Sequence, residues 1–140
     1  MVDVLDVENL ISQCLDEASS ASREKYDVDK ADRTAALILV AQMKLSFLIE
    51  EIEMKAKNAK NEIARIEGEK YFEYKTNNTE KKITENMLTN YVAKDVEVVA
   101  AKRECAQQEA SIKKWNYILN ILKDQHIYFR NIGKNKTWAE

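Results

Sequence analysis

The chain has no proline and only two glycines in 140 residues. Helix breakers and turn formers are nearly absent, which excludes a many-stranded sandwich or barrel built on frequent turns. There are two cysteines, Cys14 and Cys105, and one histidine, His126. With no CxxC pair and no second histidine, neither a disulfide scaffold nor a zinc site finds enough ligands. Both cysteines fall on apolar stripes and read as reduced core residues, consistent with a cytoplasmic chain. Long hydrophobic runs are missing too: the most apolar segment, residues 37–49, contains Gln42 and Lys44 and is too short to span a bilayer. The start, MVDVLDVENL, is acidic and lacks the basic region of a signal peptide. A soluble chain with no membrane contact, no metal and no other cofactor is the expectation.

What is present is 45% hydrophobic and 33% charged residues, the composition of a folded helical protein. A first helix is predicted from Val4 to about Tyr26, because Val7, Leu10, Ile11, Cys14, Leu15, Ala18 and Ala21 recur at spacings of three and four. Acids in the segment 27–32 suit the N-terminus of a second helix running from about Lys30 to Lys75. Its seam reads Leu45, Ile49, Ile52, Ala56, Ala59, Ile63 and Ile66, a heptad alternation that argues for coiled-coil packing. Thr76-Asn77-Asn78-Thr79 is the clearest loop signal. Thr84 can cap a short helix holding Met87, Leu88 and Tyr91, and Asp95 can cap a long last helix. The last stripe reads Val98, Ala101, Cys105, Gln108, Ile112, Trp115, Leu119, Leu122, His126 and Phe129, with Gly133 at a left-handed C-terminal cap.

The expected fold class is therefore all-α: long helices with heptad seams in a helical hairpin around a polar hinge. A helix from Lys30 to Lys75 is about 68 Å long at about 1.5 Å per residue, so it either folds into a hairpin or buries its seam against other copies. A homo-oligomer is the economical reading. One helical domain over 1–140 is expected, with long helices in 1–75, a hinge at 76–84, helices in 85–133 and a frayed tail at 134–140.

Catalysis has little support. Gly68 and Gly133 are isolated, so no phosphate-cradling loop exists, and no HExxH or DxDxDG spacing occurs. The chain reads as a non-enzyme. Charge is more informative, because the net −2 is a sum of unlike regions. Residues 1–32 hold nine acids and three bases, whereas residues 111–140 hold six bases and two acids. Between them lie Lys55, Lys57 and Lys60 in KAKNAK, then Arg65, Lys70, Lys75, Lys81 and Lys82 around Tyr71-Phe72-Glu73-Tyr74. Lysines for phosphates and aromatic faces for stacking bases are what single-stranded nucleic acid requires. The competing reading is an ordinary solvated helix face, with Glu62, Glu67, Glu69 and Glu73 diluting the patch. A second constellation, Lys113-Lys114-Trp115-Asn116-Tyr117, puts Trp115 on the stripe, as an interface or core anchor, and Tyr117 off it.

Over residues 63–132 the chain resembles the phage recombination mediator family of the UvsY type. The resemblance is carried by Arg65-Ile66-Glu67 running into the aromatic helix end, a polar loop, then Thr84, Met87, Val92 and Lys94-Asp95-Val96. It continues through Trp115, Ile118-Leu119, Ile127 and Arg130. The resemblance implies a small, helical, non-enzymatic, ring-forming protein of the host cell cytoplasm. Such a protein binds single-stranded DNA and helps load a RecA-like recombinase onto DNA covered by a single-strand-binding protein. It implies DNA contacts from the helix leading to the aromatic end, where Lys70 matches and Gly68 stands in place of a further base, leaving Arg65, Lys75 or KAKNAK to compensate. It also implies subunit contacts from Ile112, Trp115, Leu119, Leu122 and Phe129.

Taken together, Lys55, Lys57, Lys60, Arg65, Lys70 and Lys75 are the expected phosphate contacts, with Tyr71 and Tyr74 stacking on bases. The alternatives are a coiled-coil structural or adaptor protein without a nucleic-acid role, and an acidic inhibitor acting through Asp16, Glu17, Asp27 and Asp29.

Overall fold

The computed structural model describes residues 2–23, 28–77 and 83–139, with side chains for 2–20, 28–77 and 83–132. Tyr26, Asp27, Asn78, Thr79, Lys81 and Lys82 lie outside the described residues, as does the side chain of Ala21. Every described element is a helix: α1 (Val4–Arg23), α2 (Val28–Asn77), α3 (Glu85–Lys94) and α4 (Val96–Ala139). Among the described residues none is long and apolar enough to cross a membrane.

The helix starts follow from local chemistry. Asp29 lies in the first turn of α2, where a carboxylate meets the positive end of the helix dipole. Thr84 is extended and its hydroxyl accepts from Met87 N–H at 3.3 Å, capping α3. Asp95 separates α3 from α4 as a single extended residue whose N–H returns to the Val92 carbonyl. Its Oδ1 accepts from the N–H groups of Glu97 at 2.9 Å and Val98 at 3.4 Å, which starts α4.

Two boundaries depart from expectation. Thr76 and Asn77 belong to α2 and not to the hinge, the Thr76 hydroxyl bonding back to the Phe72 carbonyl at 2.8 Å within the helix. Gly133 does not terminate α4, which continues to Ala139, and no described glycine has a positive φ. A helical glycine costs only about 1 kcal/mol relative to alanine, too little by itself to end a 44-residue helix.

The contacts group the chain into two compact units, Met1–Glu51 with Ile112–Glu140, and Ile52–Ser111. The first unit packs α1, the start of α2 and the end of α4 around Val7, Cys14, Ile38, Leu45, Leu48, Trp115, Leu122 and Phe129. Fully burying side chains such as Ile38, Leu45 and Leu122 stabilises by about 1.5–3 kcal/mol each. The buried Thr34 hydroxyl is satisfied by the Lys30 carbonyl at 2.8 Å. Two polar ties cross this unit: Val2 N–H to Glu51 Oε1 at 2.8 Å, and Gln42 Nε2 to the Leu122 carbonyl at 3.3 Å.

The second unit has a thinner core of Ile52, Ala56, Leu88, Val92, Val98 and Cys105. Here α2 and α4 run antiparallel. Lys60 pairs with Glu109 at 3.2 Å, Glu67 with Lys102 at 3.4 Å, and Tyr74 with Asp95 at 2.8 Å, so partners advance along one helix as they retreat along the other. Both cysteines are buried and free, and burial followed by the Glu17 charge raises the Cys14 thiol above its ordinary value.

Candidate nucleic-acid interface

The aromatic, basic end of α2 is engaged inside its own unit. Lys70 is largely covered, its side chain 17% exposed, and its ammonium lies among Glu73 at 3.4 Å, Glu97 at 3.6 Å and Asp95 at 3.7 Å. Desolvation pulls the Lys70 pKa down, but the charges of Asp95, Glu73 and Glu97 together hold it above the ordinary value. Tyr74 donates its hydroxyl to Asp95 Oδ2 at 2.8 Å and packs on Tyr91 with ring centres 5.8 Å apart. That hydrogen bond, ahead of the opposing desolvation, holds the Asp95 carboxyl below its ordinary range; the N–H groups of Glu97 and Val98 and the Lys70 charge act the same way. The same bond, with desolvation and the Asp95 charge, raises the Tyr74 phenol. Tyr71 donates to Glu85 at 2.9 Å, and this bond raises its pKa too. These groups form a latch that fastens α2 to the start of α3 and the α3–α4 elbow.

The other expected phosphate contacts differ among themselves. Arg65 is bracketed by Glu62 and Glu69 one turn to either side; hydrogen bonds to Glu62 first and Glu69 next raise its pKa, and the bond from Arg65 lowers that of Glu62. Lys60 is paired with Glu109. Lys75 is exposed and lies over the Tyr71 ring at 6.0 Å. Lys55 and Lys57 are exposed, and among the described residues neither has an ion-pair partner. Of the eight residues expected to meet DNA, Lys55, Lys57 and Lys75 keep an exposed charge with no carboxylate partner among the described residues, while Lys70, Tyr71 and Tyr74 are committed to the latch.

The residues expected at subunit contacts also sit elsewhere. Trp115, Leu122 and Phe129 are 6%, 1% and 4% exposed inside the first unit, so their burial is complete within one chain. Ile112 and Leu119 are half-buried on the same face. The stripe was correctly spaced for packing, and its partners are α1 and α2 of the same chain.

The opposite face of α4 presents what the end of α2 does not. Tyr117 and Tyr128 are 69% and 60% exposed and lie eleven residues apart, close to three helical turns, so they share one face. Lys113 lies one turn before Tyr117 on that face and Lys114 at its edge, Asp124 lies between the two tyrosines, and Lys123 and Arg130 lie further round the helix towards the packed face, all exposed. Among the described residues none of these four cations is in an ion pair, and Lys114 lies over the buried Trp115 ring at 4.7 Å. Asp124 is the one acid on the segment 111–132. The signal was available in the sequence as two tyrosines off the apolar stripe in a segment with few acids.

Among the described residues no group of three or more His, Cys, Asp or Glu side chains is arranged to hold a metal. His126 is half-buried on the packed stripe. The chain matches no protein-family model, no curated protein and no solved structure.

Proposed function

We propose that the outer face of α4 binds single-stranded nucleic acid without sequence preference, and that the chain acts as a non-enzymatic recombination mediator. The observation that carries the reading is the set Lys113, Lys114, Lys123 and Arg130 on the exposed surface of α4, without carboxylate partners among the described residues, together with exposed Tyr117 and Tyr128. Unpaired cations release counterions from phosphates, and exposed rings offer stacking faces to any base. Lys55 and Lys57 supply a second, smaller group of exposed cations on α2, unpaired among the described residues. Single-stranded DNA as the ligand, and loading of a RecA-like recombinase onto DNA covered by a single-strand-binding protein, follow from the resemblance to the UvsY-type family. Association of several copies in the cytoplasm would gather these modest patches into one track.

The test is fluorescence anisotropy with a short single-stranded oligonucleotide, on the full chain and on a Lys113→Ala, Lys114→Ala, Lys123→Ala variant. Salt-sensitive binding that the triple change largely removes supports the reading. Absence of binding at low salt, with helix content intact, refutes it and leaves the structural or adaptor role. Recombinase assembly on protein-covered single strands, with and without the chain, then tests the loading step.

A further inference from the structure

On α2 the core of the first unit takes one face, and the opposite face carries a second apolar stripe. Val40, Met43 and Phe47 are 45%, 55% and 55% exposed there, continued by exposed Ala36. The stripe ends in opposite charges, Arg33 at one end and Glu50 at the other, both exposed. Spacings of three, four, three, four and three keep all six on one side of the helix over about 26 Å. We infer that this face pairs with the same face of a second copy, antiparallel, about a two-fold axis level with Ala41 and Gln42.

The stripe is self-complementary in that register and in no parallel one. About the midpoint between Ala41 and Gln42, Arg33 of one copy lies level with Glu50 of the other, Ala36 with Phe47, and Val40 with Met43. Opposite charges meet at both ends, the smallest side chain faces the largest, and two of similar size meet at the centre. A two-fold interface repeats each of these contacts twice, as isologous pairing requires. An in-register parallel pair would set Arg33 against Arg33, Glu50 against Glu50 and Phe47 against Phe47, with like charges and a mismatch of volume. Left open to water, three large apolar side chains in succession are an unusual surface for a monomer. The pairing stands independently of the nucleic-acid reading and uses a surface other than the Trp115 face of α4.

Sedimentation equilibrium of the full chain at low salt, over a range of concentrations and without nucleic acid, tests it. The expected limiting mass is twice the 16.2 kDa of one chain. Glu50→Arg alone, or Arg33→Glu alone, replaces attraction by repulsion at both ends and weakens self-association by roughly tenfold or more. An equimolar mixture of the two single variants recovers the dimer as a heterodimer, and the double variant recovers it as a homodimer. Circular dichroism checks that each exposed change leaves the fold intact. A monomer at millimolar concentration, an assembly indifferent to both single changes, or a mixture that stays monomeric overturns the inference.

Discussion

Replacing Lys113, Lys114 and Lys123 by alanine together removes three of the four exposed cations on residues 113–130 of α4 that have no ion pair among the described residues. Each cation that neutralises a phosphate of a single strand contributes about 0.7 to the slope of log affinity against log salt. Four such contacts give a slope of about −2.8, so affinity falls about 50-fold between roughly 50 and 200 mM salt. With Arg130 left alone the slope is about −0.7 and the same change of salt costs about 2.6-fold. A Lys60→Ala, Arg65→Ala variant is the control, because those charges are already held by Glu109 and by Glu62 with Glu69. Its slope is expected to match that of the unaltered chain. Anisotropy titrations at four or five salt concentrations give all three slopes. Tyr117→Ala and Tyr128→Ala should each weaken binding by about 1–3 kcal/mol at every salt concentration, since stacking releases no counterions. An unchanged slope in the α4 variant, or its collapse in the control, would show that ion-pair status does not select the binding face.

Three further outcomes concern the fold. Leu122, 1% exposed in the first unit, should lose about 2–5 kcal/mol of stability on change to alanine, read as a lower urea midpoint; a loss below about 1 kcal/mol would mean the site collapses onto the cavity. Asp95→Asn should flatten the acid limb of the stability profile. The folded Asp95 carboxyl titrates below its ordinary value, so its contribution is present above that value and disappears as pH falls through the folded one. Melting temperatures between neutral and strongly acidic pH should converge for the two chains, and parallel profiles would contradict the latch. Gly68 sits inside α2 with open space where a Cβ would go, so Gly68→Ala should stabilise by about 0.5–1 kcal/mol, and a destabilised melt would mean that space is used.

The α4 stripe shows how far periodicity carries. Val98, Cys105, Trp115, Leu122 and Phe129 are buried, while Ala101, Gln108, Ile112, Leu119 and His126 are half-buried, so every position chosen by spacing faces inward. Helix starts were equally legible, because a cap acts on the two or three N–H groups beside it: Thr84 reaches Met87, and Asp95 reaches Glu97 and Val98. Leu15 departs from this pattern; it lies on the expected α1 stripe yet is 48% exposed.

Which charges remain free was not legible. Lys70 and Lys113 look alike in a window of local sequence, each within two residues of an aromatic side chain. Lys70 meets Asp95 and Glu97, which stand far along the chain and come near only when α4 folds back along α2. Among the described residues Lys113 has no ion-pair partner. Tyr74 is engaged by the same return, its hydroxyl on Asp95 and its ring on Tyr91, while Tyr71 is tied through its hydroxyl to Glu85.

The sequence by itself determined that this chain is all helix, where α3 and α4 begin, and which face of α4 is apolar. Those properties depend on backbone propensity, caps and a period of 3.6, all encoded within a few residues. Only the tertiary structure decided what the apolar faces pack against and which cations are left unpaired. A hydrophobic stripe carries no address for its partner, and an ion pair depends on distances set by the return of one long helix along another.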